Sequence, residues 1–325
     1  MKRKIVITSL SLLLIIGLTA VGGAKEYPTK PIKGIISLSA GGTTDIVART
    51  LAPYMEEYLG QPLVLINEPG ANGTIAVADV AKRKPDGYTF GWCNLPTLVI
   101  HSQMRDLPYD PKEFEYVASP MPYEYIVFVR NDAQWNTWEE FISYAKEHPR
   151  MITYGVPGLG STNHLALEYI AMKEGIEWHP VPFKGNPESI AAVLGGHVDA
   201  CNTSTTAAVS AFQAGKLKPL IVLSKKRIAL VPDTPTLLEK GYDFYQFSCM
   251  GAILPPGAPE YARSKLEAAI EYACSRPEVK EKAAKTLFVT IEFKNGTEYR
   301  SLAERYYKIW GDILRQVGLH KGQKK

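Results

Sequence analysis

Cysteine is scarce in this chain. There are four in 325 residues, Cys93, Cys201, Cys249 and Cys274, and none forms a Cys-x-x-Cys pair. A disulfide-framed fold is excluded. The expectation is four separate, buried, inert thiols, with a single disulfide as the alternative if the chain is exported. Histidine is equally thin. His101, His148, His164, His179, His197 and His320 are dispersed, with no His-x-x-x-His or His-Glu-x-x-His spacing. Zinc catalysis therefore has no support, and no metal or cofactor is expected. No apolar run reaches the ~20 residues of a membrane span. Neither sign of charge predominates, since 37 basic residues against 33 acidic ones give +4. No basic stripe points to nucleic acid or an acidic membrane surface. Tandem repeats and low-complexity segments are also absent. What remains is 46% hydrophobic and 22% charged, the balance of a soluble globular protein.

The first residues have a character of their own. Lys2, Arg3 and Lys4 precede an apolar run from Ile5 to Ile16, which only Thr8, Ser9 and Ser11 interrupt. Gly22-Gly23-Ala24 then places small residues where a signal peptidase cuts. This is the layout of a secretory signal peptide over residues 1–24. Position 25 is Lys, not the Cys that lipid attachment needs. The leader holds three of the basic residues and no acidic one, so its removal leaves a nearly neutral chain of 301 residues at +1. That length suffices for two cores.

A strand, a loop and a helix recur along the chain. Ile32 to Leu38 reads as a strand, and Thr43 or Thr44 caps a helix to Leu59, in which Pro53 predicts a kink. Leu63 to Ile66 and Tyr88 to Trp92 read as further strands, with a helix near Gly73 to Lys82 between them. The pattern restarts at Tyr125 to Val129. Strands follow at Met151 to Tyr154, Trp178 to Val181, Val198 to Cys201 and Leu220 to Leu223. Helices alternate with them from Thr137, Ser161, Pro187 and Thr206. The C-terminal part is helical over Pro259 to Cys274, Pro277 to Lys285 and Thr297 to Val317. The fold class is α/β, with two mainly parallel sheets flanked by helices in two lobes. Residues 25–124 with 250–325 are expected to form one lobe and residues 125–249 the other. In such sheets ligands sit beyond the carboxyl ends of the strands.

Two loops there carry the chemistry best. Ser39-Ala40-Gly41-Gly42-Thr43-Thr44-Asp45 leads into a helix and contains no Lys or Arg. Glycines bare the backbone N–H groups, and a helix start adds unpaired donors and a partial positive charge. It lacks the Gly-Lys-Ser/Thr of a nucleotide loop. Gly158-Leu159-Gly160-Ser161-Thr162-Asn163-His164 is similar but is neither a dinucleotide fingerprint nor a nucleophile elbow. Each loop reads as an anion cradle or as a plain capping connection. Phe183-Lys184-Gly185-Asn186-Pro187 and Asn202-Thr203-Ser204-Thr205 lie at further strand ends. Asp199 reads as an acceptor for a ligand hydroxyl or amine, or as a loop cap. Asn94 is another polar group at a strand end.

With these residues in hand the sequence resembles the solute-binding receptors of tripartite tricarboxylate transporters, the Bug-type proteins, over essentially the whole mature chain. The motifs are Tyr27-Pro28-Thr29-Lys30-Pro31-Ile32, Ala40 to Asp45, Leu59 to Pro62, Asn67 to Ala71, Pro85 to Thr89, Leu107 to Pro111, Gly158 to His164, Leu194 to Asp199 and Pro232 to Thr236. The resemblance implies a Venus-flytrap, periplasmic-binding-protein fold of type II kind. It implies a small organic carboxylate pinched between Gly41, Gly42, Thr43, Thr44 and Asp45 on one lobe and Gly160, Ser161, Thr162 and Asn163 on the other. Asn94, Asp199 and Asn202 complete the candidate set. The chain departs from the family pattern at Ser37-Leu38-Ser39. Trp92-Cys93 and Cys201-Asn202 fall where the family varies, so the ligand's identity does not carry over.

The function expected is therefore a periplasmic, non-catalytic, monomeric receptor that binds a di- or tricarboxylic or other organic acid. It would hand that acid to the permease subunits of a membrane transporter. Two alternatives stand beside it. One is a secreted hydrolase using Ser161 and His164, neighbours at a helix start. The other is a sensor that docks on a membrane kinase.

Overall fold

The computed structural model describes residues 27–323. The expected leader, residues 1–24, lies outside them. The chain runs β1 (Ile32–Ile36), α1 (Thr43–Leu59), β2 (Leu63–Asn67), α2 (Thr74–Lys82) and β3 (Thr89–Asn94). Two short helices follow, α3 (Leu95–Val99) and α4 (His101–Met104), then β4 (Glu115–Pro122). The middle of the chain is β5 (Tyr125–Arg130), α5 (Trp138–Glu147), β6 (Thr153–Val156), α6 (Thr162–Glu174), β7 (His179–Pro182) and α7 (Asn186–Leu194). It continues with β8 (Ala200–Ser204), α8 (Thr205–Gln213) and β9 (Leu217–Val222). The last portion is β10 (Cys249–Leu254), α9 (Glu260–Ser275), α10 (Pro277–Lys282), β11 (Lys294–Asn295) and α11 (Gly296–Gln316).

These strands form two sheets, ordered β11-β4-β10-β3-β1-β2 and β7-β6-β8-β5-β9. Each belongs to one lobe of a two-lobed α/β fold. Both sheets are mixed, in a regular way. β1 pairs parallel with β2 and β3, whereas β10 runs antiparallel between β3 and β4. Likewise β6 pairs parallel with β7 and β8, and β5 runs antiparallel between β8 and β9. The reversed strand in each sheet is the one by which the chain arrives from the other lobe. The other principal strands of each sheet share a direction, so their carboxyl ends, and the helix starts that follow, gather on one side.

The two crossings lie side by side. Only Tyr123 and Glu124 separate β4 from β5. Tyr123 donates its backbone N–H to Ser248 O at 2.8 Å, on the return crossing just before β10. Helix α11 starts with a capping box at Asn295 and Glu298 and packs on the first lobe's sheet. Its far end reaches the second lobe, where Tyr306, Trp310, Ile313 and Leu314 share a buried cluster with Leu165 and Tyr169 of α6.

Several elements differ from the sequence reading. α1 is one helix with Pro53 inside it. β6 and β8 begin two residues later than expected. β4 escaped notice because it carries Pro120 and Pro122. Prolines are tolerated there because β11 pairs only with Ser119 and Ala118, which leaves β4 nearly an edge. β10 is wholly buried and so shows no alternation. Its Gly251 is required by packing, since a Cβ there would lie 2.2 Å from the Tyr299 ring. All four cysteines are buried and unbridged.

Candidate functional site

Four of the longer helices start at the cleft between the lobes. α1 has Gly42 at its N-cap and no side chain capping it. α7 and α8 begin at Gly185 and Ser204 and are likewise uncapped. Only α6 caps itself, with Ser161 Oγ accepting from His164 N at 3.2 Å. An uncapped helix start leaves N–H donors unpaired and carries a partial positive charge. The starts of α1 and α7 meet at one space, whereas the first N–H of α8, on Thr205, is taken by Glu124 O at 3.0 Å; two such ends suit an anion without any cationic side chain.

The lobes are closed on each other in this structure. Thr43 Oγ1 shares a hydrogen bond with Ser204 Oγ, and Ser39 Oγ donates to Glu188 Oε1 at 2.8 Å. Asn72, its amide oriented by its neighbours, donates to Pro157 O at 2.9 Å and accepts from His101 Nε2 at 2.7 Å. Between these contacts is a polar chamber of about 20 Å³, bounded by Gly42, Thr43, Thr44, Asn94, Asn163 and Asn186 among others. That is room for about one water, so a larger guest must be admitted by opening the lobes. At its wall, Asn186 Oδ1 is buried without a partner among the described residues. Buried polar groups left unpaired are costly, and a guest that bonds them recovers that cost.

The candidate residues sort themselves by what their atoms already do. Thr43, Thr44, Gly42, Asn94 and Asn163 face the chamber. Thr44 Oγ1 also bonds the hydroxyl of Tyr123, at 2.7 Å on the crossing. Gly41 N–H is committed to Asp45 Oδ2 at 2.9 Å, and Asp45 Oδ1 takes Arg49 Nε at 2.7 Å and Asn67 Nδ2 at 3.0 Å. Asp45 therefore shapes the loop, and its repulsion of an anion is offset by the cation beside it. Asn202 braces Asn163 from behind. Asn163 Nδ2 donates to Asn202 O at 2.7 Å, and Asn202 Nδ2 donates to Asn163 O at 2.9 Å and to Gln246 Oε1 at 2.8 Å. Gln246 in turn donates to Thr162 Oγ1 at 3.1 Å.

Three expectations need correction. Asp199 precedes β8, whereas the chamber lies beyond that strand's far end at Ser204. Its Oδ2 accepts from Thr153 N at 2.8 Å and Thr153 Oγ1 at 2.7 Å. It ties two strands together at the wrong end of the sheet for a ligand role. Gly160 N–H is committed to His164 Nδ1 at 3.2 Å, so this glycine offers the chamber no donor. Ser161 and Thr162 hold the loop and the Gln246 network, leaving Asn163 as that loop's polar side chain at the chamber. The second lobe's side is completed by Gly185, Asn186 and Pro187. Sequence reasoning noted this segment but did not place it in the site. Tyr123 and Tyr125, which also bound the chamber, were missed, because crossing residues follow no loop motif.

Ser161 and His164 do not form a nucleophile and its base. The serine hydroxyl meets the histidine's backbone, and the ring's Nδ1 meets Gly160. Burial lowers the His164 pKa to about 4, so the ring is neutral. Among the described residues no group of three His, Cys, Asp or Glu side chains could hold a metal ion, and no helix is long and apolar enough to cross a membrane.

Comparison with known proteins bears on this geometry. The family model described as tripartite tricarboxylate transporter family receptor matches residues 47–319. A Cupriavidus necator protein, described as a UPF0065 protein in the gbd 5′ region, is 35% identical over 92% of this chain and 91% of its own. The periplasmic binding protein BugD superposes with a TM-score of 0.86 at 28% identity, covering 90% of this chain and 99% of its own. MatC of Rhodopseudomonas palustris with bound malate gives 0.83 at 27% identity, over 89% and 100% of the chains. The R. palustris protein Rpa4515 with adipate gives 0.85 at 27%, over 90% and 98%.

Proposed function

The chain belongs to the tripartite tricarboxylate transporter receptor family, and we propose that it captures a small organic carboxylate in the chamber between its lobes. The observation that carries this reading is that the uncapped starts of α1 and α7, one from each lobe, meet at a space bounded by Thr43, Thr44, Asn94, Asn163 and Asn186 and by no Lys or Arg. A neutral cradle holds an anion by dipoles and hydrogen bonds and spreads the binding energy over many donors. Malate and adipate in two similar structures support a dicarboxylate as the ligand class.

The expected division shifts by one residue at the return crossing, because Cys249 opens β10 of the first lobe's sheet: the first lobe comprises residues 27–124 and 249–323, and the second 125–248, hinged where Tyr123 meets Ser248. A carboxylate that bonds both lobes favours the closed form by its differential affinity. The protein works as a periplasmic monomer, exported by the leader over residues 1–24, and passes its ligand to the permease subunits of a membrane transporter without transforming it. Isothermal titration with malate, adipate and citrate tests the reading. A ligand at ~100 times its Kd should also raise stability by about 2.7 kcal/mol. Failure of every di- and tricarboxylate to bind would reject it.

A further inference from the structure

A second cavity opens where the cleft meets the surface. It is about 430 Å³ and is bounded by both lobes. One lobe supplies the Gly70–Asn72 turn, His101, Met104 and Arg105, and the other supplies Gly158, Leu159, Phe183 and Lys184. It lies beside the inner chamber along both loops of the second lobe, on the other side of the Asn72–Pro157 contact. Pro157 bounds the chamber and Gly158 the mouth, while Gly185 bounds the chamber and Lys184 the mouth.

The mouth, unlike the chamber, carries cationic side chains. Its walls include the apolar Met104, Phe183 and Leu159, the last 50% exposed. Its charges are Arg105 and Lys184, with no carboxylate among the lining residues. Neither cation has an acidic partner among the described residues. Arg105 is aimed by the turn that precedes α2, with Nη2 donating to Thr74 Oγ1 at 3.0 Å and approaching Ala71 O at 3.5 Å. That turn is strained. Ala71 holds φ at 46°, a conformation alanine adopts only where surroundings enforce it, and Asn72 follows at 56°, which asparagine tolerates. Closing the lobes brings two unpaired cations to one pocket, which is unfavourable without an anion there.

We propose that this mouth pocket receives the second acidic group of the ligand, with Arg105 and Lys184 as its counter-ions and Met104, Phe183 and Leu159 against its hydrocarbon body. This rests on the inner chamber holding the first carboxylate. The chamber's neutral donors suit one acid group, which the lobes must part slightly to admit, and a second acid group would find no cation there. An elongated diacid reaching past the Asn72–Pro157 contact places the second acid between the two cations. Those cations then select diacids over monoacids of the same length.

Titration of wild type and Lys184→Gln with adipate and with hexanoate tests this, because the two acids differ only at the far end. Lys184 is exposed and makes no ion pair among the described residues, so its variant should fold as wild type. Arg105→Gln is the second variant, checked by its melting temperature. Wild type should bind adipate at least about tenfold more tightly than hexanoate. Each variant should lose roughly five- to twentyfold for adipate and about twofold or less for hexanoate, with a shallower salt dependence. Equal losses for both acids, or none for adipate, would overturn the mouth assignment and leave the receptor reading intact. Wild type binding hexanoate as tightly as adipate would do the same. Wild type binding neither of these acids nor malate or citrate would overturn both.

Discussion

The carboxylate of Asp45 accepts the backbone N–H of Gly41 at 2.9 Å, four residues before it in the same loop. This acid beside the chamber is therefore a structural brace, further held by Arg49 and Asn67. Asp45→Ala leaves Gly41 N–H and Arg49 Nε without their acceptor, Arg49 Nη2 keeping Asn67 Oδ1 at 2.9 Å, and should destabilise the protein by about 1–3 kcal/mol. Asp45→Asn keeps an acceptor and should do less. In both variants ligand affinity should fall less than in the Gly42 variant below. Urea unfolding and titration with the best acid measure the two effects separately.

Gly42 is the more direct probe. A Cβ there would sit 3.1 Å from Ser39 O and 3.9 Å from Pro187 Cδ of the opposite lobe. Its φ of −77° is open to any residue, so a side chain acts by filling space and not by straining the backbone. Gly42→Val should block both the approach to the first-turn N–H groups of α1 and the closure of the lobes. The expected loss is ~100-fold or more in affinity with the melting temperature little changed. Wild-type affinity in this variant would place the ligand elsewhere.

Much of this was legible in the sequence, and what was not had physical causes. The Thr137 and Ser161 caps, the αL glycines Gly60 and Gly175 after α1 and α6, and the parallel βα units are local signals, and each is where local chemistry puts it. The place of Gly42, Thr43 and Thr44 at the chamber was legible because they sit at a strand-to-helix junction, and such junctions gather beyond the carboxyl ends of the strands. The second loop was half legible. Ser161 and Gly160 look like donors in sequence, but the fold commits both within their own loop. Whether a donor is free depends on partners far along the chain, such as Gln246 for Thr162. Asp199 misled for the same reason, since its partner Thr153 is 46 residues away. The role of Tyr123 depends on two crossings meeting, which no periodicity records.

Gly251 tests the packing of the first lobe. Its missing Cβ is what lets the wholly buried Tyr299 ring lie on β10. Gly251→Ala forces ring or strand to move within a filled core, which typically costs about 1–3 kcal/mol and here should lie at the upper end. The denaturation midpoint should fall, and Gly251→Ala combined with Tyr299→Phe should recover little, because the clash includes the ring carbons as well as the hydroxyl.

Acid should loosen the molecule through two histidines at the lobe interface. Burial, aided at His101 by Arg105, lowers the pKa values of His101 and His164 from near 6.5 to about 4. The unfolded chain therefore binds more protons than the folded one between those values. Stability is complete above pH 6.5 and declines as pH falls toward 4, by on the order of 3 kcal/mol per histidine. His101→Gln, which can still bond Asn72, should flatten part of that decline. A melting temperature independent of pH across this window would contradict the prediction.

Glu124 works in the other direction. It is one of only two residues between β4 and β5, and burial, with Glu292 nearby, raises its pKa from 4.5 to about 7. The folded chain then holds a proton that the unfolded chain has released. The group's contribution is intact below pH 4.5 and is lost as pH rises through 7. Glu124→Gln removes the ionisation while keeping the shape. It should leave stability at pH 4.5 nearly unchanged and raise it at pH 8 by about 1–2 kcal/mol, less than full burial would give because the side chain keeps some solvent. Since the residue sits on the crossing, the same substitution should also make ligand affinity less sensitive to pH between 6 and 8. Equal melting temperatures for wild type and Glu124→Gln at pH 8 would show that the carboxyl ionises there without penalty.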